Sequence, residues 1–193
     1  MFNVTNIAVL CVQLALLAVF GPGIRRAGLR GLIIVALMAA LSAAGSAALV
    51  SFPGLQPSSF IVMMCGAALG PGAGALCGAA TALLARLIGG GLGPWALWQG
   101  ALWCLMGVIA GLTRRLPFQA HAGIGFVWGF VFGWVMNLWW YTLGNPFSWA
   151  AYLAVCAASF TSELAHALTN GALMLLFGRR LKRLYEKYGG AEA

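Results

Sequence analysis

At 193 residues, 62% hydrophobic and only 7% charged, with a mean hydropathy of +0.93, the chain falls far short of the roughly one quarter charged residues that a soluble domain carries. Its formal charge of +8 does not point to nucleic acid, because ten of its eleven Lys and Arg stand in three clusters between apolar runs: Arg25, Arg26 and Arg30; Arg114 and Arg115; Arg179, Arg180, Lys182, Arg183 and Lys187. That is the distribution of cytoplasmic loops under the positive-inside rule, and it predicts an all-α, polytopic helical bundle in a cell membrane, of the bacterial inner-membrane kind.

In chain order, the first apolar run is Val4 to Phe20, closed by Gly21-Pro22-Gly23. It lacks a basic leader and a cleavage site, so it reads as a helix and not as a signal peptide. Leu32 to Val50 follows, ended by Ser51-Phe52-Pro53-Gly54. From Ser59 to Ala85 the chain is apolar, apart from Gly70-Pro71-Gly72. Proline there removes a helical hydrogen bond, so two short helices are expected, Ser59–Leu69 and Ala73–Leu87. Trp95 to Leu112, Ile124 to Leu143 and Trp149 to Phe177 complete the pattern. The break at Pro71 is also what charge demands, since a single helix over this stretch would put Arg114 and Arg115 outside. The division is then an extra N-terminal helix (1–23), a six-helix core (24–180) with both ends inside, and a cytoplasmic tail (181–193).

Small residues recur at spacing four: Gly66, Gly70, Gly74 and Gly78; Gly125, Gly129 and Gly133; Gly107 and Gly111. In lipid, close backbone approach holds helices together, so these ladders are expected to pack the bundle. Ala36, Ala40, Ala44 and Ala48, with Ala39, Ala43 and Ala47 beside them, form a wider smooth face open to another subunit.

Candidate chemistry is sparse. The five cysteines lie inside apolar runs without a CxxC pair, so no disulfide, metal site or cofactor is expected. Glu163 is the only acidic residue within a span, and with His166 and Asn170 it shares one helix face. Such groups face a cavity or a partner at that depth, either as the wall of a substrate pocket or as an internal lock against Asn137. The other histidine, His121, falls in the cytoplasmic loop, and no catalytic pair, P-loop or GxSxG can be assembled. On the external side, Arg86 precedes the glycine cluster Gly89–Gly93, and Pro94 opens a helix carrying Trp95, Trp98 and Gln99. Asn137, Trp139, Trp140 and Tyr141 end another helix there. Trp139 and Trp149 suit interfacial anchors, whereas Trp140 or Tyr141 is expected to face the bundle. Aromatic rings around a few amides make a small-molecule site, so the substrate-binding candidates are Arg86, Trp95, Trp98, Gln99, Asn137, Trp140, Tyr141, His166 and Asn170.

The runs Ser51–Phe60, Gly66–Gly74 and Gly93-Pro-Trp-Ala-Leu-Trp-Gln99, with Gly107-x-x-x-Gly111, resemble the substrate-binding S components of energy-coupling factor (ECF) transporters. The GPWALWQ stretch is most similar to the cobalamin-linked subgroup, and Glu163-x-x-His166-x-x-x-Asn170 resembles that subgroup's last helix. The likeness spans about Leu29 to Phe177; Arg86, Leu92 and Gly100 depart from the pattern. The resemblance implies capture of a vitamin, cobalamin or a related compound, from the exterior. It also implies docking through Ala36, Ala40, Ala44 and Ala48 onto a transmembrane T component energised by two ABC-type ATPases. Having no Walker motif, the chain is not expected to be an enzyme. The rival readings are a proton-coupled transporter relaying through Glu163 and His166, an intramembrane enzyme using the same pair, and a structural subunit without ligand.

Overall fold

The computed structural model describes residues 4–52, 54–89, 91 and 93–189. Among the described residues, seven α-helices follow one another: α1 (Val4–Phe20), α2 (Gly28–Ala48), α3 (Ser58–Leu69), α4 (Pro71–Gly89), α5 (Trp95–Leu112), α6 (Phe118–Trp139) and α7 (Trp149–Gly189). Short 3-10 segments, Gly21–Ala27 and Trp140–Leu143, continue α1 and α6. Five helices are long and apolar enough to cross a membrane, and α3 is a shorter apolar helix. At 41 residues α7 is roughly 60 Å long, about twice the thickness of a bilayer's hydrocarbon core, though it is not among those five. The expected all-α bundle, with six core helices and one extra at the N-terminus, is what forms.

The expected break at Pro71 is present. Gly70 ends α3 with φ +96, a conformation that favours glycine, and Pro71 opens α4 at its first position. Gly72 backs onto Phe20, Gly111 onto Pro71, and a Cβ on Gly70 would stand 4.0 Å from the Arg114 guanidinium. Lys182 donates to the Arg114 carbonyl at 2.9 Å, and the Arg179 guanidinium stands 6.0 Å from the Phe118 ring centre. The three basic clusters therefore gather at one end of the bundle, as the positive-inside reading requires. Helix limits moved outward in places. Thus α6 begins at Phe118, which puts His121 on a helix and not in a loop. His121 is buried, its ring 3.4 Å from both Thr113 Oγ1 and the Pro117 carbonyl, because Pro117 starts the helix earlier than the hydropathy does.

The glycine ladders are the packing surfaces. Any Cβ on Gly66 or Gly74 would run into the Gly107 backbone, and one on Gly78 into Trp103 and Cys104. Helices α3, α4 and α5 thus cross at backbone contact distance, which only glycine permits. On the other side, Gly129 packs against the Ala167 backbone and Gly133 against the Glu163 side chain, joining α6 to α7. The wide alanine face of α2 divides in two. Ala39 and Ala43 are fully buried, whereas Ala36, Ala40, Ala44 and Ala48 are all exposed.

Candidate functional site

At the end opposite the basic clusters, polar side chains from four elements converge beneath the 51–57 connection. Gly54, at φ +82, lies directly on the Ser162 carbonyl, so this connection is pressed onto α7 one residue before Glu163. A side chain at position 54 would lift it away.

Glu163 is 3% exposed and belongs to a network across α6 and α7. Its Oε1 accepts from Ser159 Oγ at 2.6 Å and from Asn137 Nδ2 at 3.3 Å, and Asn137 Nδ2 also donates to Ser159 Oγ at 3.0 Å. Its Oε2 is buried with no protein partner. An acceptor left unpaired in an apolar interior costs about 1–3 kcal/mol.

One turn on, His166 Nε2 lies 2.9 Å from Ser59 Oγ of α3. Ser59 accepts from Trp103 Nε1 of α5 at 3.1 Å, which leaves the hydroxyl proton free for His166. Around this chain the rings close up. Trp103 and Phe132 stand 5.6 Å apart, and Phe132 meets His166 edge-on at 5.3 Å. Together these buried rings form an aromatic floor within the core, and the Glu163–Asn137–Ser159 network stands on the same two helices, α6 and α7. Above the floor, Trp95 of α5 meets Trp139 of α6 at 5.7 Å, and Trp139 meets Trp140 edge-on at 6.4 Å. Helix α6 packs along α7 and only sparsely along α5, so these ring contacts form a seam that can part without breaking backbone hydrogen bonds. Asn170 lies deeper. Its Nδ2 donates to the Gly125 carbonyl at 3.2 Å, while its Oδ1 and the nearby helix α6's Trp128 Nε1 are buried without protein partners.

The sequence candidates are therefore not all in one place. Trp95, Asn137 and His166 join the site, and Asn170 lies below it. Trp98 is turned to α1, where its Nε1 donates to Asn6 Oδ1 at 2.9 Å. Gln99 is half-buried with Oε1 unpartnered. Arg86 ends α4, which packs chiefly on α5, α2 and α3, and its Nε is buried without a protein partner. Trp140 is exposed, and Tyr141 stacks edge-on with Phe147 at 5.2 Å in the α6–α7 connection. Thus Trp139, expected as an anchor, is the ring that turns inward. Gly90 and Leu92, within the glycine cluster before α5, lie outside the described residues. Ser59 and Phe132 escaped the sequence reading, and Trp103 closes its aromatic stretch without being a candidate, because nothing distinguishes a serine or an aromatic in an apolar run until its neighbours are known. Among the described residues no group of three metal-ligating side chains converges.

A family model described as "ECF-type riboflavin transporter, S component" matches residues 28–186, which covers α2 to α7 and leaves out α1. No curated protein and no solved structure matches the chain.

Proposed function

Since this chain belongs to the family of ECF-type riboflavin transporter S components, we propose that it captures a flat, riboflavin-like vitamin from the exterior, between α3, α5, α6 and α7. The observation that carries this reading is the unpartnered Glu163 Oε2, one helical turn from His166, whose ring packs with Phe132 and through it with Trp103. A planar heteroaromatic ring has a face to lie against aromatic side chains and edge N–H or O–H groups to satisfy a buried acceptor. Asn137 and Ser159 hold the carboxylate in place, and parting of Trp95 from Trp139 admits the ligand.

Cobalamin is the second reading, favoured by the GPWALWQ stretch. Against it, Trp98 of that stretch is engaged by Asn6 of α1. Equilibrium titration of the purified chain with riboflavin and with cobalamin separates the two. Riboflavin is expected to bind one per chain and lose its fluorescence against the aromatic floor. Saturable binding of cobalamin alone would reject the riboflavin-like assignment.

Partners follow from family membership: a T component and two ABC-type ATPases, since the chain has no nucleotide motif of its own. What supports docking through α2 is that Ala36, Ala40, Ala44 and Ala48 are exposed while Ala39 and Ala43 are spent on the chain's own core. An apolar cleft of about 270 Å³, lined by Leu37, Leu41, Leu184 and Tyr188 among others, opens beside them. Helix α1 sits on α5 and α4 and leaves this face clear.

A further inference from the structure

Helix α1 lies outside the residues that match the family, yet it is not loosely attached. Val9, Leu10, Leu16, Leu17 and Phe20 are half-buried and the rest of its apolar surface is exposed, while the one fully buried residue of the helix is polar. Asn6 is completely buried and accepts the Trp98 indole N–H at 2.9 Å, across 92 residues of sequence. Gln13 lies against Gly100, where a Cβ would stand 2.7 Å from its Nε2. Both contacts fall on the outer half of α5, within five residues of Trp95. In hydrocarbon an amide placed on a partner helix fixes register as well as proximity, because sliding would leave it unpaired.

We propose that α1 is a clamp that sets the register of the outer end of α5, and that Asn6 is thereby a positioning residue for the Trp95–Trp139 seam. Trp98 is one turn from Trp95 on the same helix, so holding its indole nitrogen fixes the rotation of the turn that carries Trp95. Gly100 belongs to the same device, since the absent side chain lets the Gln13 amide in. With the clamp in place Trp95 rests on Trp139 and the seam is closed; without it the first turn of α5 is free to rotate and the seam opens more often. The part of this inference that concerns ligand retention rests on the site assigned above. The part that concerns the seam does not.

The test uses the full-length chain in nanodiscs, with riboflavin as the probe. Asn6→Leu removes the acceptor, and Trp98→Phe removes the donor while keeping an aromatic ring. Each is expected to raise the riboflavin dissociation rate about tenfold, in the range of a lost buried hydrogen bond. The double variant should be no faster than either single one, as residues acting through one contact require. Separately, in a background without the native cysteines, Trp95→Cys and Trp139→Cys are joined by a short bismaleimide, and adding Asn6→Leu should at least halve the yield. Unchanged dissociation and unchanged cross-linking overturn the clamp, and so do additive single effects. If the parent chain binds no riboflavin, the substrate reading fails, and the cross-linking yield decides the clamp by itself.

Discussion

A single carboxylate in the membrane interior is the most informative residue of this protein. Glu163 is held by Ser159 and Asn137 through one oxygen and offers the other unpartnered. If that oxygen receives a ligand donor, Glu163→Gln keeps the shape but weakens the acceptor and should raise the riboflavin dissociation constant up to about tenfold, as loss of a buried hydrogen bond does. Titration of the purified variant checks this, and an unchanged constant would reduce Glu163 to a lock between α6 and α7. The spacing of Glu163, His166 and Asn170 was legible because polar residues stand out in an apolar run. Their partners were not legible. Ser59 lies 107 residues from His166, and which serine a histidine meets is decided by how helices cross, not by local pattern. The same holds for Trp139, whose interfacial position is readable in sequence but whose turn towards Trp95 is tertiary.

Between elements, small residues decide what can touch. Gly74 and Gly107 meet backbone to backbone, so Gly74→Val must push α4 from α5. A loss of about 1–3 kcal/mol or more is expected, as for overpacked cores, and is read as a lower midpoint of thermal unfolding in detergent. Gly123, with nothing within 4 Å of its Cβ position, is the control: Gly123→Ala should leave that midpoint unchanged or slightly raised. The alanines of α2 differ in kind, because the exposed set bears no weight within the chain. Ala40→Trp and Ala44→Trp should therefore abolish co-purification with the T component and leave riboflavin affinity within about twofold; normal co-purification would remove α2 from the docking face. The ladders themselves were visible in sequence. Which alanines stay open was not, since α2 carries small residues on both its packed and its free sides.

For the whole molecule, hydropathy and charge together gave the correct helix count. Gly70-Pro71-Gly72 located the break, and charge required it independently, because three basic clusters must share one side. The site was less legible than the bundle: the sequence offers candidates before α5, at the end of α6 and on α7, whereas which of them meet, and that Ser59 of α3 joins them, depends on how the helices cross. Topology has a direct check. In a cysteine-free background, Ser148→Cys should label from outside and Arg115→Cys from inside, and labelling of both from one face would break the six-helix core. The account's central claim, a capture subunit that depends on an external motor, is tested most directly by uptake. Proteoliposomes containing this chain with a T component and two ATPases should accumulate labelled riboflavin only when ATP is present. Liposomes with this chain alone should accumulate none, with or without a proton gradient. Gradient-driven accumulation by the chain alone would contradict the account and make Glu163 and His166 a proton relay.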